Sequence, residues 1–171
     1  MDTMNLDTIN RIGAILMNRQ QNLAVAESVT AGMLQVAFSS ADRASEFFQG
    51  GITAYNLGQK ARHLHLDPIH GQQCNCISAE TACTLSENCC SFFSSHWGIG
   101  ITGYASTVPE EGITELYCYY SIAADGQEIK SARITPPPGQ EDPIAIRYFY
   151  TNMVIDILLD LLTNTLQKKP R

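Results

Sequence analysis

Nowhere does this chain of 171 residues offer the roughly 20 consecutive apolar residues that cross a bilayer. Its start, "MDTMNLDTIN", lacks the basic-then-apolar layout of a secretory signal. Basic residues are scarce, with 11 Lys and Arg against 17 Asp and Glu and a net charge of −6 at pH 7. That balance argues against a nucleic-acid face and against an anionic membrane surface. A cytoplasmic protein with no nucleic-acid and no membrane partner is therefore expected, and a local site for an anionic small molecule stays compatible with it. There is no C-x-x-C pair, and no secretory context suggests a disulfide framework for the six cysteines. They read as free thiols that pack as small apolar residues. No internal repeat, low-complexity tract or linker divides the chain, so one domain over residues 1–171 is expected, with 44% apolar residues to fill its core.

The apolar pattern alternates between short runs and helical periods. Leu6, Ile9, Ile12 and Leu16 recur at helical spacing, predicting a helix over residues 6–20. "LAVAES" reads as a buried strand and "TAGMLQVAFSS" as a helix, then "ADRAS" as a loop. "FFQGGITAY" reads as a strand with a bulge or close approach at Gly50-Gly51, and "NLGQKARHL" as a short helix. Residues 65–77 read as loop. Ser78 is placed to cap a helix that runs to about Ser94, with Glu80 in its first turn. "WGIGITGY" is a strand, and "GITELYCYYSIAAD" with "QEIKSARIT" forms a hairpin around Asp125-Gly126. Asp142-Pro143 opens a long final helix marked by Ile146, Phe149, Met153, Val154 and Leu158. Strands alternating with helices and followed by a hairpin predict an α/β fold, a three-layer α/β/α sandwich with a mixed central sheet.

Sites in such sheets gather beyond the carboxyl ends of strands. Three ends carry chemistry: Glu27-Ser28 before a helix, Tyr55 with Lys60 five residues on, and Thr102-Gly103. A serine at a strand-to-helix junction has two readings. It caps the helix, or it is a nucleophile beside free backbone N–H groups of Val29, Thr30 and Ala31 that can hold an oxyanion or a phosphate. A lysine serves as its base if burial lowers the amine's pKa. On spacing alone the plainer reading is the commoner one: Ser28 a cap, Lys60 exposed, Tyr55 packing, Thr102-Gly103 a turn.

"LAVAESVTAG", "GGITAYNLGQK", "ISAET" and "ITGYA", in that order and at these intervals, resemble the CinA C-terminal domain family. Its members show A-E-S-C-T-G-G, G-G-x-x-x-Y-S-N-x-x-K, V-S-x-E and T-G-I-A-G-P. The resemblance implies an α/β sandwich that tends to oligomerise, and a nicotinamide mononucleotide (NMN) deamidase that releases nicotinic acid mononucleotide and ammonia. It implies no metal or redox cofactor and a small-molecule nucleotide substrate. Carried over by position, Ser28 is the nucleophile, with Tyr55 and Lys60 as its catalytic partners. Glu27, Thr30, Ala31, Gly32, Thr102, Gly103 and Arg147 fall at positions around the substrate.

The chain also departs from that pattern. C-T-G-G is Val29-Thr30-Ala31-Gly32 here, which puts a methyl group at Ala31 where φ > 0 or bare backbone is wanted. A-G-P is Ala105-Ser106-Thr107, and the glycine-rich segment beyond it shrinks to "VPEEGITELY", with two carboxylates. Late in the chain Glu141 stands where the family has its first arginine, and Arg147 is the candidate for the second. An alternative is therefore a diverged, non-catalytic domain that binds a nucleotide or a partner. A separate cluster, His63, His65, His70, Cys74 and Cys76, has ligand types that suit zinc but matches no standard spacing.

Overall fold

The computed structural model describes residues 4–166, so the single-domain expectation over residues 1–171 reaches beyond the described residues at both ends. Helix α1, Leu6–Asn18, is started by the Asn5 side chain, which accepts the Thr8 N–H at 3.2 Å, and it buries Ile9, Ile12 and Leu16. It ends two residues before the predicted limit, and Gln20 at φ 54° turns the chain into the sheet. Strand β1, Leu23–Glu27, is buried at all five positions. It lies between two parallel neighbours, β2 (Phe48–Thr53) and β3 (Trp97–Gly103), which explains its unbroken apolar run. Strands β4 (Cys118–Ala124) and β5 (Gln127–Ile134) continue the sheet antiparallel, giving the order β2-β1-β3-β4-β5. Asp125 and Gly126, at φ 50° and 75°, form the expected left-handed hairpin turn.

Four further helices precede the last: α2 (Met33–Ser39), α3 (Leu57–Leu64), α4 (Pro68–Gln73) and α5 (Ala79–Phe93); α6 spans Pro143–Leu166. Alternate residues of β1 feed two cores. Val25 packs with Ile12, Phe38, Ile99, Ile122, Tyr150 and Leu158 under α1, α2 and α6. Ala24 and Ala26 pack on the other face with Leu64, Leu85 and Cys89 from α3 and α5. The mixed sheet is thus covered on both sides, as the three-layer expectation has it. Helix α5 presses hard on β3: a Cβ at Gly98 would stand 2.2 Å from the Ser86 carbonyl oxygen, and one at Gly100 2.3 Å from that of Ala82.

Two segments differ from the sequence reading. Residues 65–77 contain α4, because Asp67 accepts the Ile69 N–H at 3.0 Å and Pro68 supplies a pre-set first residue. The same Asp-Pro signal opens α6, where Asp142 accepts the Ile144 N–H at 3.0 Å. The hairpin's first strand begins only at Cys118. Ahead of it, Val108 and Ile113 exchange two backbone hydrogen bonds, 2.8 and 3.1 Å, around a turn at Pro109–Glu111 closed by Gly112 at φ 76°. Among the described residues no helix is long and apolar enough to cross a membrane.

The chain leaves β1 for β2 on one side and then crosses to β3 on the other. The carboxyl ends of β1 and β3 therefore flank a topological switch point, where open α/β sheets form their crevices. Ser28 and Thr102 stand at that point.

Candidate active site

Ser28 leaves β1 with its N–H on the Ile101 carbonyl (3.1 Å) and its own carbonyl accepting the Ala31 N–H (3.2 Å). Helix α2 starts only at Met33, so Ser28 is no cap. Glu27 does that work. Its fully buried carboxylate accepts the N–H groups of Gly32 (3.1 Å), Leu34 (3.0 Å) and Gln35 (2.9 Å), the Thr30 hydroxyl (2.6 Å) and the Gln35 amide (3.2 Å). With the helix start satisfied by its neighbour, Ser28 is 7% exposed and its Oγ has no hydrogen-bond partner among the described residues. The N–H groups of Val29 and Thr30 likewise have no acceptor among the described residues.

The turn that achieves this runs through two left-handed residues, Ala31 at φ 54° and Gly32 at φ 102°. An alanine there carries a steric cost of about 1–2 kcal/mol. Ala31 is exposed, so its methyl group has little packing to lose. Ala31→Gly is expected to raise the unfolding free energy by roughly 1 kcal/mol and the Tm by about 2–4 °C, read by thermal denaturation. An unchanged or lower Tm counts against the strain.

Lys60 comes from α3, which Asn56 caps by accepting the Gln59 N–H at 3.0 Å. The helix turns this side chain inward. Lys60 is 2% exposed, and its Nζ donates to the Tyr55 carbonyl at 2.9 Å. Among the described residues no carboxylate lies within ion-pair distance of it. Burial holds its pKa below the usual lysine value, offset in part by the neighbouring Cys76 thiol, whose own pKa burial raises. Tyr55 thus holds the lysine through its backbone, while its ring is 69% exposed at the rim. Ser28 and Lys60 line one cleft without a direct hydrogen bond between them.

The opposite wall is built from the segment that reads as loop. Asn75 and Cys76 are both left-handed, at φ 50° and 59°. The Cys76 N–H bonds to the Gly71 carbonyl at 2.7 Å, and its own carbonyl accepts the Thr102 hydroxyl at 2.8 Å. Thr102 thereby ties the end of β3 to the lysine's side of the cleft. Gly103 is required by the sheet: a Cβ there would stand 2.4 Å from the Tyr117 carbonyl oxygen. From α6, Arg147 reaches back to donate its Nε–H to the Val29 carbonyl at 3.1 Å.

The resulting cleft has a volume of about 550 Å³. It brings together Ser28, Tyr55, Lys60, Thr102, Gly103 and Arg147 from the sequence reading. Glu27, Thr30, Ala31 and Gly32 do not line it; they shape the turn behind it. Sequence reasoning missed Asn75, Cys76 and Tyr104 in the lining, whereas Glu111, one of the two carboxylates noted in "VPEEGITELY", does reach it. The histidines disperse: His63 bonds to Gln59 (3.1 Å), and His70 to Ser78 (3.0 Å) and Cys74 (3.5 Å). Among the described residues no group of three His, Cys, Asp or Glu side chains could hold a metal ion.

Fold and cleft together define a doubly wound α/β domain with a serine whose Oγ has no partner among the described residues and a desolvated lysine, both at the carboxyl ends of its parallel strands. The chain belongs to the CinA C-terminal domain family, whose model matches residues 6–136. It is 39% identical over 116 residues to a CinA-like protein of Picosynechococcus sp., covering 68% of this chain and 28% of that protein. It is 32% identical over 119 residues to a putative competence-damage inducible protein of Limosilactobacillus reuteri, covering 70% of this chain and 29% of that one. The chain thus spans less than a third of the length of each of these relatives. Among solved structures, a CinA superfamily protein from Escherichia coli superposes with TM-score 0.84 at 20% identity, over 94% of this chain and 91% of that one. The competence damage-inducible protein A from Klebsiella pneumoniae gives TM-score 0.86 at 17% identity, over 94% and 98%. At those identities the likeness is one of fold.

Proposed function

We propose that this domain is an amidohydrolase of the NMN deamidase kind, converting NMN to nicotinic acid mononucleotide and ammonia. The observation that carries it is Ser28, a buried serine whose Oγ has no partner among the described residues, lining a cleft it shares with a desolvated lysine that no described carboxylate neutralises. Neutral Lys60, turning from the Tyr55 carbonyl or acting through a water, takes the Ser28 proton as Oγ attacks the amide carbon. The Val29 N–H, free and in the lining, holds the oxyanion, with the Thr30 N–H behind it. Lys60 returns the proton to the departing ammonia, and water clears the acyl-enzyme. Arg147 pins the loop through Val29 and has N–H groups left for the nucleotide. Six free thiols fit a cytoplasmic setting, and the exposed apolar residues of α6, Ile144 and Met153, fit a homo-oligomer contact.

The test is ammonia release from NMN by the wild type and by Ser28→Ala. The expected result is steady release by the wild type, lowered at least about a thousandfold in the variant. Equal rates overturn the deamidase reading. One observation favours a second reading, a non-catalytic nucleotide-binding domain: the Lys60 amine is committed to Tyr55 rather than to Ser28. That reading gains if NMN raises the Tm without turnover.

A further inference from the structure

The six thiols are not alike. Cys89, Cys90 and Cys118 are buried, and Cys83, half-buried on α5, has its pKa pushed up to about 12 by burial and by Glu128 and Glu87. Cys74 is half-buried too, but a base stands beside it: its Sγ lies 3.5 Å from the His70 Nε2. On the far side of the ring, His70 Nδ1 faces the Glu80 carboxylate at 3.5 Å, which favours the tautomer with its hydrogen on Nδ1 and a bare Nε2. Ser78, 3.0 Å from Nε2, is not a nucleophile. It spends its hydrogen on the Thr81 hydroxyl (3.0 Å) and accepts the Thr81 N–H (3.0 Å) as the cap of α5. Once Nε2 takes the thiol proton, both ring nitrogens therefore have an oxygen to donate to, Ser78 Oγ and Glu80. Until then the thiol hydrogen also has the His70 carbonyl within reach, at 3.2 Å.

A second thiol follows two residues on. Cys76 is 6% exposed, lines the cleft and neighbours both Lys60 and Cys74. The left-handed Asn75 between the two cysteines folds the chain back at that point. An accessible sulfur, a base to take its proton and a resolving thiol close by are what a peroxide-reactive cysteine needs. Among the described residues Cys74, His70 and Cys76 bring the three together.

We propose that Cys74 and Cys76 form a redox-active pair that reacts with hydroperoxides, with His70 as the base and Cys76 as the resolving thiol. His70 takes the Cys74 proton, the sulfur attacks one peroxide oxygen, and the O–O bond breaks. With hydrogen peroxide, the leaving hydroxide recovers the proton from His70 as water. Cys74 is left as a sulfenic acid, oxidised by two electrons while the peroxide is reduced. Cys76, giving its proton to neutral Lys60, attacks that sulfur. The S–S bond forms, the S–O bond breaks, and the departing hydroxide takes the proton from Lys60 as a second water. The disulfide acts on the cleft wall, because the Cys76 carbonyl holds the Thr102 hydroxyl at 2.8 Å and its thiol neighbours Lys60. A loss of turnover on oxidation rests on the amidohydrolase reading; the thiol pair does not.

Peptide mass spectrometry after timed exposure to hydrogen peroxide tests it. Cys74 is expected to oxidise at least about tenfold faster than Cys83, and the product to be a Cys74–Cys76 disulfide that dithiothreitol reverses. Cys76→Ser is expected to stop at the sulfenic acid on Cys74, trapped by dimedone. His70→Gln is expected to slow the first step at least about tenfold, and Glu80→Gln about threefold. The Glu80 side chain is 73% exposed, so the fold should tolerate its change, and an unchanged Tm checks it. Cys74 no faster than Cys83, no Cys74–Cys76 disulfide, or a rate untouched by both His70→Gln and Glu80→Gln overturns the pair. Ammonia release from NMN keeps the two readings apart. Release that falls on oxidation and returns with dithiothreitol supports the effect on the cleft, and release that does not change overturns it. No release from the reduced protein counts against the deamidase reading and leaves the thiol pair standing.

Discussion

Replacing Glu27 by alanine is expected to destabilise the protein by about 3–5 kcal/mol, more than any other single change at this site. The carboxylate is completely buried and accepts five hydrogen bonds, three of them from the backbone N–H groups of Gly32, Leu34 and Gln35. Removing it strands those donors, and each unmet buried donor costs roughly 1–3 kcal/mol, reduced where water enters the gap. For a domain of this size the Tm should fall by roughly 10 °C. Glu27→Gln should fall between the two, because one oxygen still accepts while the amide nitrogen opposes a backbone N–H. Urea unfolding of the three proteins measures this, and a loss under about 1 kcal/mol for alanine would mean that the α2 start reorganises freely.

Lys60→Met should separate activity from stability. On the proposed amidohydrolase reading, losing this base is expected to slow the reaction by about a hundredfold to ten-thousandfold. The fold should nevertheless become more stable at pH 7. Burial depresses the folded-state pKa of Lys60, so between that value and 10.5 the unfolded chain holds the proton more often than the native one. Wild-type stability therefore rises with pH across that window. The advantage of methionine should be greatest below the depressed pKa and shrink as pH approaches 10.5. Denaturant melts at stepped pH read this directly. The same depression predicts that wild-type kcat/KM climbs with pH and levels off below the pH range of an ordinary lysine. A methionine variant no more stable than the parent at neutral pH, or a rate that does not rise, contradicts a desolvated base.

The regular parts of the fold were legible because each announced itself locally. Strand β1 is apolar from Leu23 to Ala26 because it lies inside the sheet, α1 has a clean helical period, and α5 starts at a real cap, with Ser78 accepting the Thr81 N–H at 3.0 Å. Helix α4 was not legible, since Ile69, on its opening turn, is 69% exposed and draws no amphipathic pattern around the Asp67-Pro68 signal. At the site, Ser28, Tyr55 and Lys60 could be found as strand-end chemistry. Whether Ser28 capped a helix could not, because that depends on the Glu27 carboxylate folding back under α2. The inward turn of Lys60 comes from how α3 packs, the arrival of Cys76 from the left-handed Asn75 and Cys76, and that of Glu111 from the Val108–Ile113 turn, none of which a local pattern announces.

The contacts made by α6 have a consequence for how the domain acquires its cleft. Arg147 closes on Val29 across 118 residues, and Tyr150 on Tyr104 across 46. Contacts of such separation bring the largest loop-closure entropy and slow the step that forms them. Arg147 and Tyr150 also lie beyond the family-matched span, residues 6–136. A variant that keeps its sheet but loses the docking of α6 would therefore lose one wall of the cleft, and native secondary structure alone is a poor gauge of a competent site.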